Sequence, residues 1–234
     1  MWIDMQEYLL SNSKPAVFAV ASAHHFPAQG DELMTRDRID KVVLLTPGGK
    51  EVQAAPQGDT QYQSQSPLEA QGTFMAVAIP QNGFSTKTPE GYQRGKSKKD
   101  LKNVIECRYS EKFGKALFVV GAPGGSAFSQ SLGHKMEIIP LKDPAMLKEG
   151  DDLPVKVVVE GQPARTYVYG TYAGFSDEPN TFAYTTSTDK EGIARIKMIK
   201  AGTWLLVVKQ ETPYSDTSVC DKLSYSASMT FEVR

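Results

Sequence analysis

The chain has 234 residues, and its 26 lysine and arginine residues nearly balance its 27 aspartate and glutamate residues, for a formal net charge of −1. This balance argues against a nucleic-acid-binding domain, which would carry an excess of basic residues. A composition of 40% hydrophobic and 23% charged residues is typical of a folded protein, and no apolar run approaches the roughly 18–20 residues that would span a membrane. We therefore expect a soluble globular chain with no membrane span.

The first half of the chain alternates short apolar runs with turn signals. The segment that begins at Trp2 is strand-like, and further strands are predicted at 16–21, 41–45, 72–79 and 116–120. Turn-forming residues follow several of these runs, as in Thr46-Pro47-Gly48-Gly49. The runs are rich in Val, Ile, Thr, Tyr and Phe, and no stretch keeps a helical period over three turns. The pattern predicts an all-β fold with few or no long helices.

The second half shows the same pattern, with spacings close to those expected of a sandwich. Strands are predicted at 153–159, 165–172, 193–199, 204–208 and 224–233. Asp189 and Gly192 predict a tight hairpin turn, in which glycine supplies a positive φ. This order of strands resembles a prealbumin-like or Ig-like β-sandwich of about 100 residues. We therefore predict two β-sandwich domains, residues 1–132 and 133–234, with the boundary in the Gly/Ser-rich segment 121–133.

The segment 85–106 carries a local excess of three positive charges. A site for a phosphate or a nucleic acid is one interpretation. A solvated excursion between strands is favoured, because neither interleaved aromatic residues nor a Gly-rich phosphate loop accompanies the charges.

Cys107 and Cys220 are the only cysteines. An even pair fits one disulfide formed in an oxidising compartment. Two unrelated buried thiols are the alternative interpretation.

The three histidines are the candidate metal ligands. His24 and His25 follow the apolar run 16–21, and His134 lies at the entry to the second half. Neutral imidazole binds Zn, Cu, Fe and Ni. Neighbouring strand residues point to opposite faces, so His24 and His25 could share one ion only if the strand ends there, which Pro27 makes plausible.

A metal site would need a further donor, and Asp4, Met5, Asp31 and Glu32 are close in sequence. By spacing alone, ordinary polar or surface histidines are favoured, because no i,i+4 pair or Cys-x-x-Cys motif is present.

The sequence contains no recognisable enzyme signature. It has no Gly-x-Ser-x-Gly elbow, P-loop, His-Glu-x-x-His motif or Rossmann glycine set. We therefore expect no enzymatic activity, and a hydrolase built on the sandwich is the least favoured hypothesis.

Six segments, in order along nearly the whole chain, carry a family resemblance; they lie at 2–5, 24–27, 86–91, 109–117, 133–141 and 220–227. On these segments the chain is similar to the periplasmic component family of bacterial cobalt/nickel ABC-type transport systems, a domain-of-unknown-function family.

The resemblance implies a non-catalytic periplasmic protein, its signal peptide removed, that binds Co²⁺ or Ni²⁺ (Zn²⁺ is possible) and presents the ion to a membrane permease. His25 and His134 match family histidines, with His24 beside them. Family members typically carry an Ala-His pair before the Trp segment, whereas this sequence begins Met1-Trp2, so a ligand at that position would be missing. The alternative function is a structural or interaction β-sandwich of the cell envelope with a protein or glycan partner.

Overall fold

The computed structural model describes residues 1–28 and 30–234, and it is built from β-strands joined by turns and single-turn 3₁₀ helices. The strands are β1 (Trp2–Met5), β2 (Leu9–Leu10), β3 (Val17–Ala21), β4 (Ile39–Leu45), β5 (Glu51–Val52), β6 (Ala54–Gln57), β7 (Gln61–Ser64), β8 (Gly72–Pro80), β9 (Gly83–Thr88), β10 (Gly91–Arg94), β11 (Glu106–Val120), β12 (Met136–Pro140), β13 (Asp152–Val159), β14 (Gln162–Pro163), β15 (Tyr167–Tyr172), β16 (Tyr184–Ser187), β17 (Ile193–Lys197), β18 (Gly202–Pro213) and β19 (Lys222–Val233). The 3₁₀ helices are Gly30–Glu32, Arg36–Arg38, Lys98–Asp100, Ala127–Ser129 and Pro144–Met146.

Three sheets form the architecture. Among the described residues, the central sheet has eleven strands in the order β16-β15-β18-β19-β11-β8-β4-β5, with β2 and β9 also paired with β11 and β10 paired with β9. The N-terminal sheet has the order β1-β3-β7-β6, and the C-terminal sheet joins β12, β13, β14 and β17. Pairing is antiparallel except where β11 runs parallel to β2 and β19.

The two faces of the central sheet are covered separately. On β11, Phe113 and Leu117 point into the core shared with the C-terminal sheet, whereas Ala116 and Phe118 point into the core shared with the N-terminal sheet. The same alternation on β18 turns Trp204 toward the C-terminal sheet. Leu205 turns the other way and packs in a small cluster with Trp2 and Phe26. Period-two alternation thus builds two cores back to back.

The all-β prediction is confirmed, and the layered sheets form β-sandwich packing. The predicted hairpin turn before β17 is also present: Gly192 has φ +76°, and a Cβ there would lie 2.7 Å from the Val157 carbonyl oxygen. Only glycine fits this turn without strain.

Two segments differ from expectation. β11 begins at Glu106, ten residues before the predicted run 116–120, and most of that extension is half-buried rather than apolar. Part of the segment 85–106 is not a solvated excursion, because β9 and β10 form a hairpin in which β9 pairs with β11. Strand pairing, rather than burial, accounts for these residues.

The boundary near residue 132 stays a prediction. The structure joins strands from both sides of it, since nine residues of β11 pair in register with nine of β19. Among the described residues, no helix is long and apolar enough to cross a membrane.

Candidate functional site

The His24–His25 turn, residues 22–28, follows β3 and is fixed by its neighbours. Phe26 is buried and meets the ring of Trp2 edge-on, with ring centroids 5.6 Å apart. β3 ends at Ala21, before His24, so the strand break that Pro27 suggested is present; the Phe26–Pro27 peptide bond in the turn is cis. The His24 carbonyl accepts a 2.6 Å hydrogen bond from the Asn180 amide, which connects the turn to the loop before β16.

Both ring nitrogens of His25 lie near oxygen atoms. Its Nδ1 lies 3.2 Å from the Pro27 carbonyl oxygen, and its Nε2 lies 3.5 Å from Oε1 of Glu32. A carbonyl oxygen can only accept, so this contact requires the proton on Nδ1. In the neutral ring, Nε2 then carries a lone pair that faces a carboxylate oxygen. His24, in contrast, is exposed.

His134 lies on the opposite face of the central sheet. It is half-buried, and its ring stacks, with centroids 4.9 Å apart, on Phe113, a residue of the core toward the C-terminal sheet. Burial, reinforced by the nearby charges of Lys115 and Lys41, lowers the pKa of His134 to about 4 in spite of Glu137. Its Nδ1 is buried and finds no hydrogen-bond partner among the described residues.

A buried ion pair organises the segment around His134. The Glu137 carboxylate accepts hydrogen bonds from Lys115 Nζ at 2.5 Å, from Ser131 Oγ at 2.9 Å and from the backbone amides of Leu132 and His134. Burial acts to raise the pKa of Glu137, but Lys115 and these donors outweigh it and lower the pKa. Fully paired in this way, the carboxylate fixes the link between the sheets and has no free acceptor to offer a ligand.

The structure therefore does not bring the three predicted histidines together. Phe26, beside His25, packs on one face of the central sheet, while His134 packs on the other. In the described part of the chain, no three His, Cys, Asp or Glu side chains are grouped so as to hold a metal ion. The residues present do not fit one site built from His24, His25 and His134. Of the nearby acids in the sequence, Glu32 is the one whose carboxylate faces a histidine ring, because the short helix Gly30–Glu32 returns it to the turn.

The disulfide between Cys107 and Cys220 is confirmed, with a Cα–Cα distance of 4.9 Å. It ties the start of β11 to the segment before β19, next to Asp221, whose carboxylate accepts from the Cys107 amide at 2.8 Å and from Lys98 Nζ at 2.6 Å. Lys99 pairs with Asp216. Lys98 and Lys99, two of the basic residues of the segment 85–106, thus form ion pairs beside the disulfide. The disulfide also suggests an extracytoplasmic protein.

Comparisons with known proteins identify a family whose function is unknown. The family described as "Domain of unknown function (DUF4198)" matches residues 1–212. No curated protein matches the chain in sequence.

Solved structures show only distant similarity. The D0-D1 domain of intimin is 11% identical, with 99% of this chain and 97% of that chain covered and a TM-score of 0.23. An Escherichia coli alpha-2-macroglobulin activated by porcine elastase is 11% identical, with 100% and 20% covered and a TM-score of 0.24. The mouse nectin-like molecule 4 ectodomain is 9% identical, with 97% and 96% covered and a TM-score of 0.21. Scores this low carry no argument about function.

Proposed function

This chain belongs to that family of unknown function, and on this premise we propose that it is a non-catalytic extracytoplasmic protein that captures a divalent transition metal ion as cargo. The capture site is the His24–His25 turn together with Glu32. The recipient is the membrane permease of a metal uptake system, and the compartment is the periplasm.

One observation carries the proposal. With the Nδ1 proton directed at the Pro27 carbonyl, the neutral His25 ring presents a lone pair on Nε2 to a carboxylate oxygen 3.5 Å away. Two acceptors in this position repel each other unless a proton or a metal ion lies between them. Bonds of about 2.0–2.2 Å place neighbouring donors of a tetrahedral site about 3.4 Å apart, which this spacing matches.

The Pro27 contact has the form expected around a metal-binding histidine. Such histidines commonly donate the other ring N–H to a backbone carbonyl or a carboxylate, which fixes the tautomer and the ring orientation. Two contacts anchor the turn, since Phe26 packs against Trp2 and the Asn180 amide donates to the His24 carbonyl. The protein therefore needs little rearrangement to bind an ion there.

The number of ligands suits a carrier better than a permanent site. His25 and Glu32 supply two donors, and the remaining positions are open to water or to a partner's ligand. A site closed by four protein ligands releases its ion slowly, whereas open positions allow transfer. Imidazole and carboxylate ligands accept Co²⁺, Ni²⁺ and Zn²⁺, and the family resemblance favours the first two.

The test is a calorimetric titration of the metal-stripped, tag-free protein with Co²⁺, Ni²⁺ and Zn²⁺. We expect micromolar or tighter binding of one ion per chain, weakened at least about tenfold by His25→Ala and by Glu32→Gln. The matched control is His134→Gln, which we expect to bind as the wild type does, because His134 lies across the central sheet. The proposal is wrong if the wild type takes up no metal, in which case the contact between His25 and Glu32 is a simple ion pair, or if the control loses as much affinity as His25→Ala.

An exposed aromatic surface favours one second candidate, an interaction protein with a protein or glycan partner. Tyr167 is 61% exposed, and its ring centroid lies 6.3 Å from that of Tyr169. The ring centroid of Phe182 lies 5.1 Å from that of Tyr169. Exposed aromatic clusters are common at recognition surfaces. Absence of metal binding in the titration would leave this function as the better supported one.

A further inference from the structure

A cleft on the N-terminal-sheet side of the central sheet gathers three cationic side chains from distant parts of the sequence. Arg38 ends the short helix before β4, Arg94 ends β10, and Lys112 lies in the middle of β11. Together they line a cavity of about 490 Å³, which we call the cationic cleft. Its size is within the range of small-molecule sites.

In the described part of the chain, none of these three cations has an acidic partner. Elsewhere in the chain Lys98, Lys99 and Arg108 each lie within 4 Å of a carboxylate oxygen. Among the described residues, no carboxylate lies that close to Arg38, Arg94 or Lys112, and none of the three side chains donates a hydrogen bond to the protein. Asp37 acts on Arg38 through space, without a direct contact.

The cleft is also electrostatically unfavourable when nothing occupies it. Burial lowers the pKa of Lys112, and the positive charges of Arg94 and Arg38 lower it further. Lys209 and Arg108 add to the same field. Half-buried like charges without counter-charges cost folding free energy, and a concave site lined by one sign of charge concentrates ions of the opposite sign.

Neutral polar groups complete the lining. Ser110 from β11 and Ser85 from β9 bring hydroxyl groups, and Asn82 brings an amide. An arginine guanidinium forms paired hydrogen bonds with carboxylate or phosphate oxygens, and a lysine ammonium adds a point charge. The lining therefore combines cations with hydroxyl and amide donors, which is the chemistry that recognises an oxyanion.

We propose that the cationic cleft binds a small oxyanion carrying two or more negative charges, either a phosphate or a polycarboxylate. The inference rests on residues that metal capture does not use, so the two proposals are tested independently. The proposal assigns Arg94 to ligand binding, whereas the sequence pattern favoured a solvent-exposed segment without a ligand.

The experiment titrates the metal-stripped protein with inorganic phosphate and, separately, with citrate, at constant ionic strength set with sodium chloride. We expect one saturable site with a dissociation constant below about 1 mM for at least one probe. The probe that binds tighter identifies the class, phosphate or polycarboxylate.

Two variants locate the site. Arg94→Gln and Lys112→Gln should each weaken binding about tenfold or more, as expected for loss of a charge-assisted hydrogen bond. Because Arg94 is exposed, its variant tests the proposal even if Lys112→Gln fails to fold. Lys102→Gln removes an exposed charge from the same basic segment outside the cleft and is the matched control. No saturable binding of either probe, or equal weakening in the control, would overturn the proposal.

Discussion

At the scale of single residues, His134 shows how burial changes the charge of an imidazole. Its ring stacks on Phe113, and burial with the charges of Lys115 and Lys41 lowers its pKa to about 4. The charged groups that act on the ring are Lys115, Glu137 and Lys41. An unfolded chain would instead titrate this histidine near pH 6.5.

This difference predicts acid sensitivity. Between about pH 6.5 and 4, His134 binds a proton in the unfolded state but not in the folded state. The free energy of unfolding therefore decreases as the pH falls through this window. Between about pH 7 and pH 5 the free energy of unfolding should fall in both proteins. We expect the fall to be about 1–2 kcal/mol smaller for His134→Gln than for the wild type, allowing for partial exposure of the ring. Urea unfolding at both pH values measures the difference. Equal losses would contradict the pKa assigned to His134, since every other titrating group is common to both proteins.

At the scale of elements, the long strand β11 connects the parts of the molecule. It pairs with β8, β9, β2 and β19, and the Cys107–Cys220 disulfide fixes its first residues beside the segment that leads into β19. The parallel pairing with β19 joins residues more than a hundred positions apart. Bringing such distant residues together has a large loop-closure entropy cost, and a covalent link between them reduces that cost.

The disulfide should therefore contribute strongly to stability. It spans 113 residues, and a loop of that length predicts a loss of about 4–5 kcal/mol when the link is removed. We expect the double variant Cys107→Ser, Cys220→Ser to unfold at correspondingly lower urea concentration than the oxidised wild type. The wild type unfolded in reducing agent is the control and should match the variant. A loss below about 1 kcal/mol would show that strand pairing alone holds β11 in place.

At the scale of the whole molecule, one sheet runs through both halves of the chain. The core toward the C-terminal sheet includes Val43 and Leu117 from the first half and Trp204 and Phe231 from the second. Shared cores of this kind couple the unfolding of the parts that contribute to them.

We predict that the chain unfolds in one cooperative transition. Trp2 and Trp204 are the only tryptophans, one in each half, and both are buried. The variants Trp2→Phe and Trp204→Phe leave one fluorescent reporter each, and each reporter's transition should coincide with that of far-ultraviolet circular dichroism of the same variant. Fluorescence and dichroism midpoints that separate would instead support two independent units divided near residue 132.

Local sequence patterns were enough for much of the architecture. Apolar runs bounded by Gly/Pro turns predicted β8, β13 and β19 nearly in full and only parts of β11 and β18. The hairpin at Gly192 followed from the one residue type that tolerates its backbone angle. The cysteine pair predicted its own disulfide. These features depend on neighbours in sequence or on a single possible partner.

The candidate sites depended on tertiary structure. His25 lies in the turn after β3 and His134 lies just before β12, so contacts with residues distant in sequence decide which face of the central sheet each segment packs on: Trp2 contacts Phe26 and Phe113 contacts His134. The early part of β11 lacked a strong apolar pattern, since hydrogen bonds to β9 and β19 hold it rather than burial. Arg38, Arg94 and Lys112 meet only because three separate elements converge. Residue types and local periods thus determined the fold class and the covalent link, whereas contacts between elements distant in sequence decided that Arg38, Arg94 and Lys112 line one cavity and that His134 lies apart from His25.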